Sequence, residues 1–470
     1  MVRGRTGAAA ACAAVTVLAS GCGGSRVSGP LAHAPVPQQR PEPRVPKPAA
    51  PPVRETLVSV TVLDGDTNEP VTGAKVTMRG AERRSRTLFA IRKRALVPAT
   101  VSAPHYRSRT LRLPLDRFRR VTVRLYRPDG QWTMYGADPA RSQVHPSIQL
   151  RPPFRVVWGR NLGSLLEFPA VVEEGRAYLS NLHGKLFALS MDTGKTLWSF
   201  DMHAVEQDSS PAVVGENVVA HSKGAHVFVL DRKTGRLRWA WASAGGIESS
   251  PVVVDGIDYL GDWAGNVYAL DLRRRRLRWT YHDGCKITAG AAVVRGTVYI
   301  GDYCGRLLAL DASTGTLRFS ASAGSPVYGT SAVANGRVFV PSRDAGALYA
   351  FTTSGSYLWH VRTGAYVYSA PAVWQGRVFF GSYNGVLYCL SAATGSVLWA
   401  VETGGAISGS PTVIDGIVYA GNFAHQIVGV DARTGRVRFR FPHGEYVAVS
   451  GNRGRLLMYG WSSLWAVEPK

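Results

Sequence analysis

A chain of 470 residues with 51 glycines and 10% aromatic residues is too long for one small domain and has the profile of many short strands joined by tight turns. Its net charge of +23 is uneven: +5 in residues 1–55, +11 in residues 56–127 and only +7 in the rest, which argues against nucleic acid as a partner. Of five cysteines, Cys12 and Cys22 fall in the first 22 residues, and the remaining Cys285, Cys304 and Cys389 are too few for a disulfide framework; no Cys/His spacing suggests zinc.

The first segment reads as targeting sequence. Arg3 and Arg5 precede the Ala-rich run "GAAAACAAVTVL", which ends in "LASGC". This resembles a bacterial lipoprotein signal, with small residues before the Cys22 thiol that takes the lipid; an ordinary secretory signal with an incidental cysteine is the alternative. Residues 1–22 are therefore expected to be a signal, and the mature chain a membrane-anchored protein outside the cytoplasm. No later segment has the roughly 18 apolar residues of a spanning helix. Residues 23–55 hold nine prolines between Pro30 and Pro52 and form a semi-rigid linker.

Residues 56–128 alternate like half-buried strands, with Val58, Val60 and Val62, then Val71, Ala74, Val76 and Met78. "PVTGAKVTM" and "VSAPHYRSRTLRL" resemble the carboxypeptidase regulatory-like and PEGA families, small β-sandwiches without catalytic residues of their own. His105 stands where that pattern prefers glycine. The basic exterior is either simply solvated or a supplement to the lipid anchor on an anionic surface.

Residues 129–470 are repetitive. "KLFALSMDTGKTLW", "HVFVLDRKTGRLRW", "NVYALDLRRRRLRW", "RLLALDASTGTLRF", "ALYAFTTSGSYLW", "VLYCLSAATGSVLW" and "QIVGVDARTGRVRF" end at Trp198, Trp239, Trp279, Phe319, Trp359, Trp399 and Phe439. Their spacing is 41 and then 40 five times. Each unit of ~40 residues holds four short strands, which is a propeller blade. "FRVVWGRNLG" around Trp158 matches an outer strand without its partners, and "RLLMYGWSSLWAVEP" matches inner strands without an outer one. Joined, they complete an eighth blade; a seven-bladed ring with decorated ends is the alternative. The expected fold is all-β: a small β-sandwich followed by an eight-bladed propeller.

The motif "LxALDxxTGxxxW" resembles the pyrroloquinoline quinone (PQQ) repeat, and the likeness runs from "QWTMYGADPARSQVHP" to the C-terminus. Two functional classes are implied. Quinoprotein dehydrogenases hold PQQ and Ca²⁺ on the axis and need a carboxylate base, oxygen ligands and often vicinal cysteines, none of which stands out in this sequence. The chain is similar also to the BamB-type lipoprotein propellers of outer-membrane assembly, which bind and do not catalyse. The reading is therefore a non-enzymatic binding platform with no cofactor and no metal, a monomer whose partners are proteins of the cell envelope.

The eight outer-strand aromatics are expected to pack between blades. Asp231, Asp271, Asp311 and Asp431 are expected to bond turn backbone. Cys285 and Cys304 fall in loops on one face of one blade, so they either pair or remain as two buried thiols. Cys389 reads as a small core residue. Trp263, Tyr303, Tyr383 and Phe423 recur at one loop position, as structural rings or as a binding face. His221, His226 and His425 have no ligand spacing. In "LDLRRRRLRW", Arg274 and Arg275 replace the Thr and Gly of the sister turns, so a changed turn is expected there.

Overall fold

A computed structural model of the chain describes residues 55–91, 96–114, 120–203, 206–207 and 209–470. The signal, with Cys22, and the linker up to residue 54 lie outside these residues. No helix among the described residues is long and apolar enough to cross a membrane.

Two small sheets come first. Ala81–Arg83, Leu88–Ile91, Thr56–Asp64 and Arg120–Leu125 form one, in that order, and Lys75–Met78, Leu96–Ser102 and Arg109–Pro114 form the other. Alternation puts Val58, Val60 and Val62 inside, against Val76, Met78, Phe89, Val97 and Leu125. Thr56–Asp64 pairs in parallel with Arg120–Leu125, which brings the segment's two ends side by side.

Eight four-stranded antiparallel sheets follow, each a blade counted here from the N-terminal side. Blades 1 to 7 occupy residues 171–201, 212–242, 252–282, 292–322, 332–362, 372–402 and 412–441. Blade 8 takes Val449–Gly451, Leu456–Tyr459 and Ser463–Pro469 from the C-terminus and its outer strand, Phe154–Asn161, from upstream of blade 1. Backbone pairing such as Trp465↔Gly159 thus closes the ring between distant parts of the chain. Closure leaves no long sheet edge, and each blade buries its faces on its neighbours.

The outer aromatics show how neighbouring blades are locked. Within six of the blades the aromatic packs on a ring of the second strand, as in Tyr178–Trp198 at 5.8 Å and Phe379–Trp399 at 5.7 Å. Across blades, the ring lies under the turn between the third and fourth strands of the next one. A Cβ at Gly235 would sit 2.6 Å from Trp198, and one at Gly315 would sit 2.6 Å from Trp279. The indole also donates across the seam: Trp158 Nε1 to Met191 O (2.9 Å), Trp198 Nε1 to Arg232 O (3.0 Å), Trp279 Nε1 to Ala312 O (3.0 Å) and Trp399 Nε1 to Ala432 O (3.2 Å).

The acids at those turns serve the backbone. Asp231 Oδ1 accepts from Lys233 N and Thr234 N, Asp311 Oδ1 from Ser313 N and Thr314 N, and Asp431 Oδ1 from Arg433 N and Thr434 N, all within 2.8–3.1 Å. The arginine-rich turn does the same, with Asp271 Oδ1 accepting from Arg273 N (3.1 Å) and Arg274 N (2.9 Å). The expected change is limited to pairing: the fourth strand starts at Arg276, one residue earlier than in the sister turns, without the bond that Gly235 N and Gly315 N make to the turn aspartate's carbonyl. Arg275 itself adopts φ 55, close to the 71 of Gly235 and the 76 of Gly315, so the chain keeps the left-handed conformation there and accepts its strain. Two of the charges are locally answered: Arg274 and Arg278 each reach Asp271 at 3.1 Å. Those hydrogen bonds, the backbone N–H of Arg274 foremost, hold the Asp271 carboxyl down at about 2.

Candidate binding face and axial cavity

Strand direction alternates within a blade, so the loops between second and third strands share one face with the loops that join one blade to the next. The turns between first and second and between third and fourth strands lie on the other face. On the first face, the same loop position carries Lys223, Trp263, Tyr303, Arg343, Tyr383 and Phe423 in blades 2 to 7. The backbone fixes the last five alike: Trp263 N donates to Gly246 O, Tyr303 N to Lys286 O, Arg343 N to Pro326 O, Tyr383 N to Tyr366 O and Phe423 N to Ala406 O, at 2.9–3.0 Å.

The structure brings the four predicted aromatics into a larger set. Tyr303 meets Tyr328 (6.3 Å between centroids), Tyr328 meets Tyr368 (5.2 Å), Tyr368 meets Tyr383 (5.0 Å) and Tyr383 meets Phe423 (5.7 Å). Phe423 then meets Tyr446 (4.8 Å), and Tyr446 meets Trp461 (6.2 Å). Trp263 joins through a cation: Lys286 Nζ lies 4.1 Å from its ring centroid and 5.1 Å from that of Tyr303. Arg343, in the aromatic position of blade 5, lies 5.4 Å from the Tyr303 ring and 5.9 Å from the Tyr368 ring. The result is an arc of rings from blade 3 to blade 8. Trp263, Tyr366 and Trp461 are exposed, at 38%, 49% and 54%.

Cys285 and Cys304 are joined in a disulfide, with Cα atoms 5.9 Å apart. It ties the loop before blade 4 to that blade's second loop, and so holds Lys286 and Tyr303, the residues beside the two cysteines. Cys389 is fully buried in the second strand pairing of blade 6, opposite Phe379.

The axis behind this face is a blind cavity of about 70 Å³. Its floor is a segment that the sequence did not reveal as structured. Residues 132–145 wind around the axis and bond to the innermost strands of six blades: Trp132 with Val172, then Val213 N to Thr133 O, Val293 N to Pro139 O, Val333 N to Ala140 O, Val373 N to Ser142 O and Val413 N to Gln143 O. Arg141 is fully buried in this plug and donates to four carbonyls, those of Ala291 (2.8 Å), Tyr135 (2.5 Å), Ser250 (2.9 Å) and Pro251 (3.0 Å). Burial pulls its guanidinium down to about 10. Tyr135 and Gln143 of the plug close the cavity below; Glu167, Glu248, Tyr328, Tyr368 and Tyr446 stand around its mouth. The mouth tyrosines were not singled out from sequence. Their signal is weak: Glu248, Thr288, Tyr328, Tyr368 and Ser408 share one repeat position, but with four residue types.

The histidines stay apart. His221 is enclosed between Ser249 O (2.6 Å) and Asp258 Oδ2 (2.8 Å), His226 bonds Gly224 O, and exposed His425 bonds Glu445. Asp283, Cys285 and Asp302 lie together, but the cysteine is in the disulfide and Arg306 bridges both acids at 2.6 and 2.8 Å.

The PQQ group implied by the repeat is a fused tricarboxylate. Among the described residues the cavity lining contains two carboxylates and no Lys, Arg or His, and its volume suits a few water-sized groups. These residues do not fit that group.

Comparison with known proteins places the chain. It matches the family described as outer membrane protein assembly factor BamB over residues 155–283, 263–370 and 346–461, which span all eight blades. It is similar to BamB of Moranella endobia, at 30% identity over 96 residues, covering 18% of this chain and 25% of the relative. It is similar also to the quinoprotein ethanol dehydrogenase of Pseudomonas aeruginosa, at 29% identity over 101 residues, covering 20% of this chain and 16% of the relative. The alignments thus span a quarter or less of these relatives. Among solved structures, BamB from Moraxella catarrhalis superposes with a TM-score of 0.57 at 17% identity, covering 68% of this chain and 98% of that one, a likeness of fold. The chain belongs to the BamB family of PQQ-repeat β-propellers.

Proposed function

We propose that the protein is a lipid-anchored binding protein of the cell envelope, which docks a protein partner on the aromatic face of its propeller. The observation that carries this reading is the arc of rings from Trp263 to Trp461 on the loop face, pinned by a disulfide and by a backbone bond repeated in blades 3 to 7. Rigid aromatic rings contribute much contact area at low ordering cost, which is why they concentrate in interface centres. A disulfide suits an oxidising compartment, and Cys22 supplies the anchor. The family name makes the assembly of outer-membrane proteins the first partnership to test in a host with two membranes. In this reading residues 23–55 are the tether, residues 56–128 a basic accessory sandwich that approaches anionic head groups, and residues 129–470 a monomeric platform.

The alternative is a quinoprotein dehydrogenase, suggested by the similarity to the ethanol dehydrogenase. The acidic, narrow lining of the axial cavity counts against it. Adding PQQ and Ca²⁺ to purified protein and assaying dye-linked alcohol oxidation tests it; turnover would establish the enzyme reading.

The docking proposal is tested by crosslinking pull-down from membranes with the full chain and with Tyr383→Ala/Phe423→Ala. The expected result is an envelope protein captured by the parent and lost from the double variant at unchanged melting temperature. Equal capture by both contradicts the face assignment.

A further inference from the structure

The axial cavity opens in the middle of the aromatic face, and its chemistry differs from that of the surface around it. Among the described residues, five rings line it, those of Tyr135, Phe168, Tyr328, Tyr368 and Tyr446, together with Glu167 and Glu248, and no cationic residue contributes to the wall. The Glu248 residue is only 7% exposed. Its two oxygens are held by neutral donors, Trp263 Nε1 at 2.9 Å and Tyr328 OH at 2.6 Å. Those two bonds fix the carboxyl group in the cavity wall and bring no countercharge of their own. Ring faces add negative potential of their own.

The neighbouring surface shows what such rings accept. Cations of the chain are laid on the arc: Lys223 and Lys286 over Trp263, Lys286 also over Tyr303, and Arg343 over Tyr303 and Tyr368. Arg343 is further engaged by Asp344 at 2.7 Å. None of these three cations lines the cavity, so the axis is left to another group. The plug makes the cavity blind, and attraction between a cation and a ring is strongest where water is excluded. A volume of about 70 Å³ admits a slender head group and not a bulky one.

We propose that the axial cavity is a site for a slender organic cation, an alkylammonium or guanidinium group, held by the Glu248 carboxylate and the faces of Tyr328, Tyr368 and Tyr446. The group is either a free amine or the Lys or Arg side chain of a docked partner; only the second source rests on the docking proposal above.

Calorimetry on the detergent-solubilised full chain tests this with two kinds of probe. Ethylguanidinium and spermidine represent the free source; the peptide Gly-Gly-Arg-Gly-Gly, against its citrulline counterpart, represents the side chain. Binding of either kind, weakened about tenfold or more in Glu248→Gln, supports the site. Tyr368→Leu, which removes a ring and no charge, is expected to weaken it as well. Glu402→Gln, on an exposed outer strand, leaves it unchanged. Binding of the amines alone assigns the free source, and binding of the arginine peptide alone assigns the side chain. No cation bound at millimolar concentration, equal binding by Glu248→Gln, or tighter binding of citrate than of either cation overturns the proposal. A failed pocket with an intact pull-down leaves the docking face standing.

Discussion

Gly315→Ala isolates the contact on which the ring of blades depends. Gly315 sits at φ 76, and an added Cβ would lie 2.6 Å from Cδ2 and Cε3 of Trp279 in the preceding blade. The left-handed backbone alone costs an alanine about 1–2 kcal/mol. The ring cannot yield freely, because Nε1 is held by Ala312 O at 3.0 Å and the opposite face packs on Tyr259 at 6.0 Å. Overpacking of this kind adds about 1–3 kcal/mol, for a total loss of about 2–5 kcal/mol. Arg275 provides the reciprocal case, since a side chain already occupies that turn at φ 55. Arg275→Gly should therefore gain about 1 kcal/mol. Urea unfolding of the full chain, followed by tryptophan fluorescence with the slope held common, measures both. A loss of less than about 0.5 kcal/mol in Gly315→Ala would refute the claim that glycine is required by the packed indole.

Other predictions concern the face and the plug. Cys285→Ser/Cys304→Ser opens a loop with a sequence separation of 19 and should cost about 3 kcal/mol, seen as a lower denaturation midpoint that reductant imposes equally on the parent. Arg141→Met leaves four buried carbonyls without their donor and should cost about 3 kcal/mol or more, or prevent folding; a melting temperature equal to the parent's contradicts the plug's role. A pH effect is expected where the sandwich meets blade 8, at Asp66, which accepts from Asn452 and Gln131 at 3.0 Å. Burial, then the charge of Asp64, pushes its carboxyl up to about 7 from 3.8. A raised folded value means that the contribution of Asp66 is fully present below about 3.8 and is lost as pH rises through about 7. Asp66→Asn keeps one acceptor oxygen, so its melting temperature should fall less than the parent's between pH 5 and 8; parallel profiles contradict this assignment.

Much of the architecture was legible because the repeat writes it seven times. The outer aromatic recurs in all seven units, the turn glycine in all but the arginine-rich one and the turn aspartate in four, and their register gives strand order and spacing. The eighth blade was legible from what its two fragments lacked. The plug was not, because residues 132–145 contact six blades through backbone groups, one or two residues at a time, and leave no side-chain period. Arg275 misled in part, for a related reason: sequence shows the residue that disfavours a turn, but not the bonds to Asp271 that hold it. The candidate binding face was half legible. Trp263, Tyr303, Tyr383 and Phe423 share a loop position, while Tyr328, Tyr368 and Tyr446 come from the loops between blades and meet them only when the ring closes.

The central claim is that a partner docks on the aromatic face and not on the opposite one. A photoreactive amino acid placed at Tyr366, exposed among the rings, and in a second variant at Gln375, exposed on the turn face of blade 6, compares the two sides in living cells. The account predicts a discrete adduct with an envelope protein from position 366 and none from position 375. An adduct from 375 with none from 366 would contradict it.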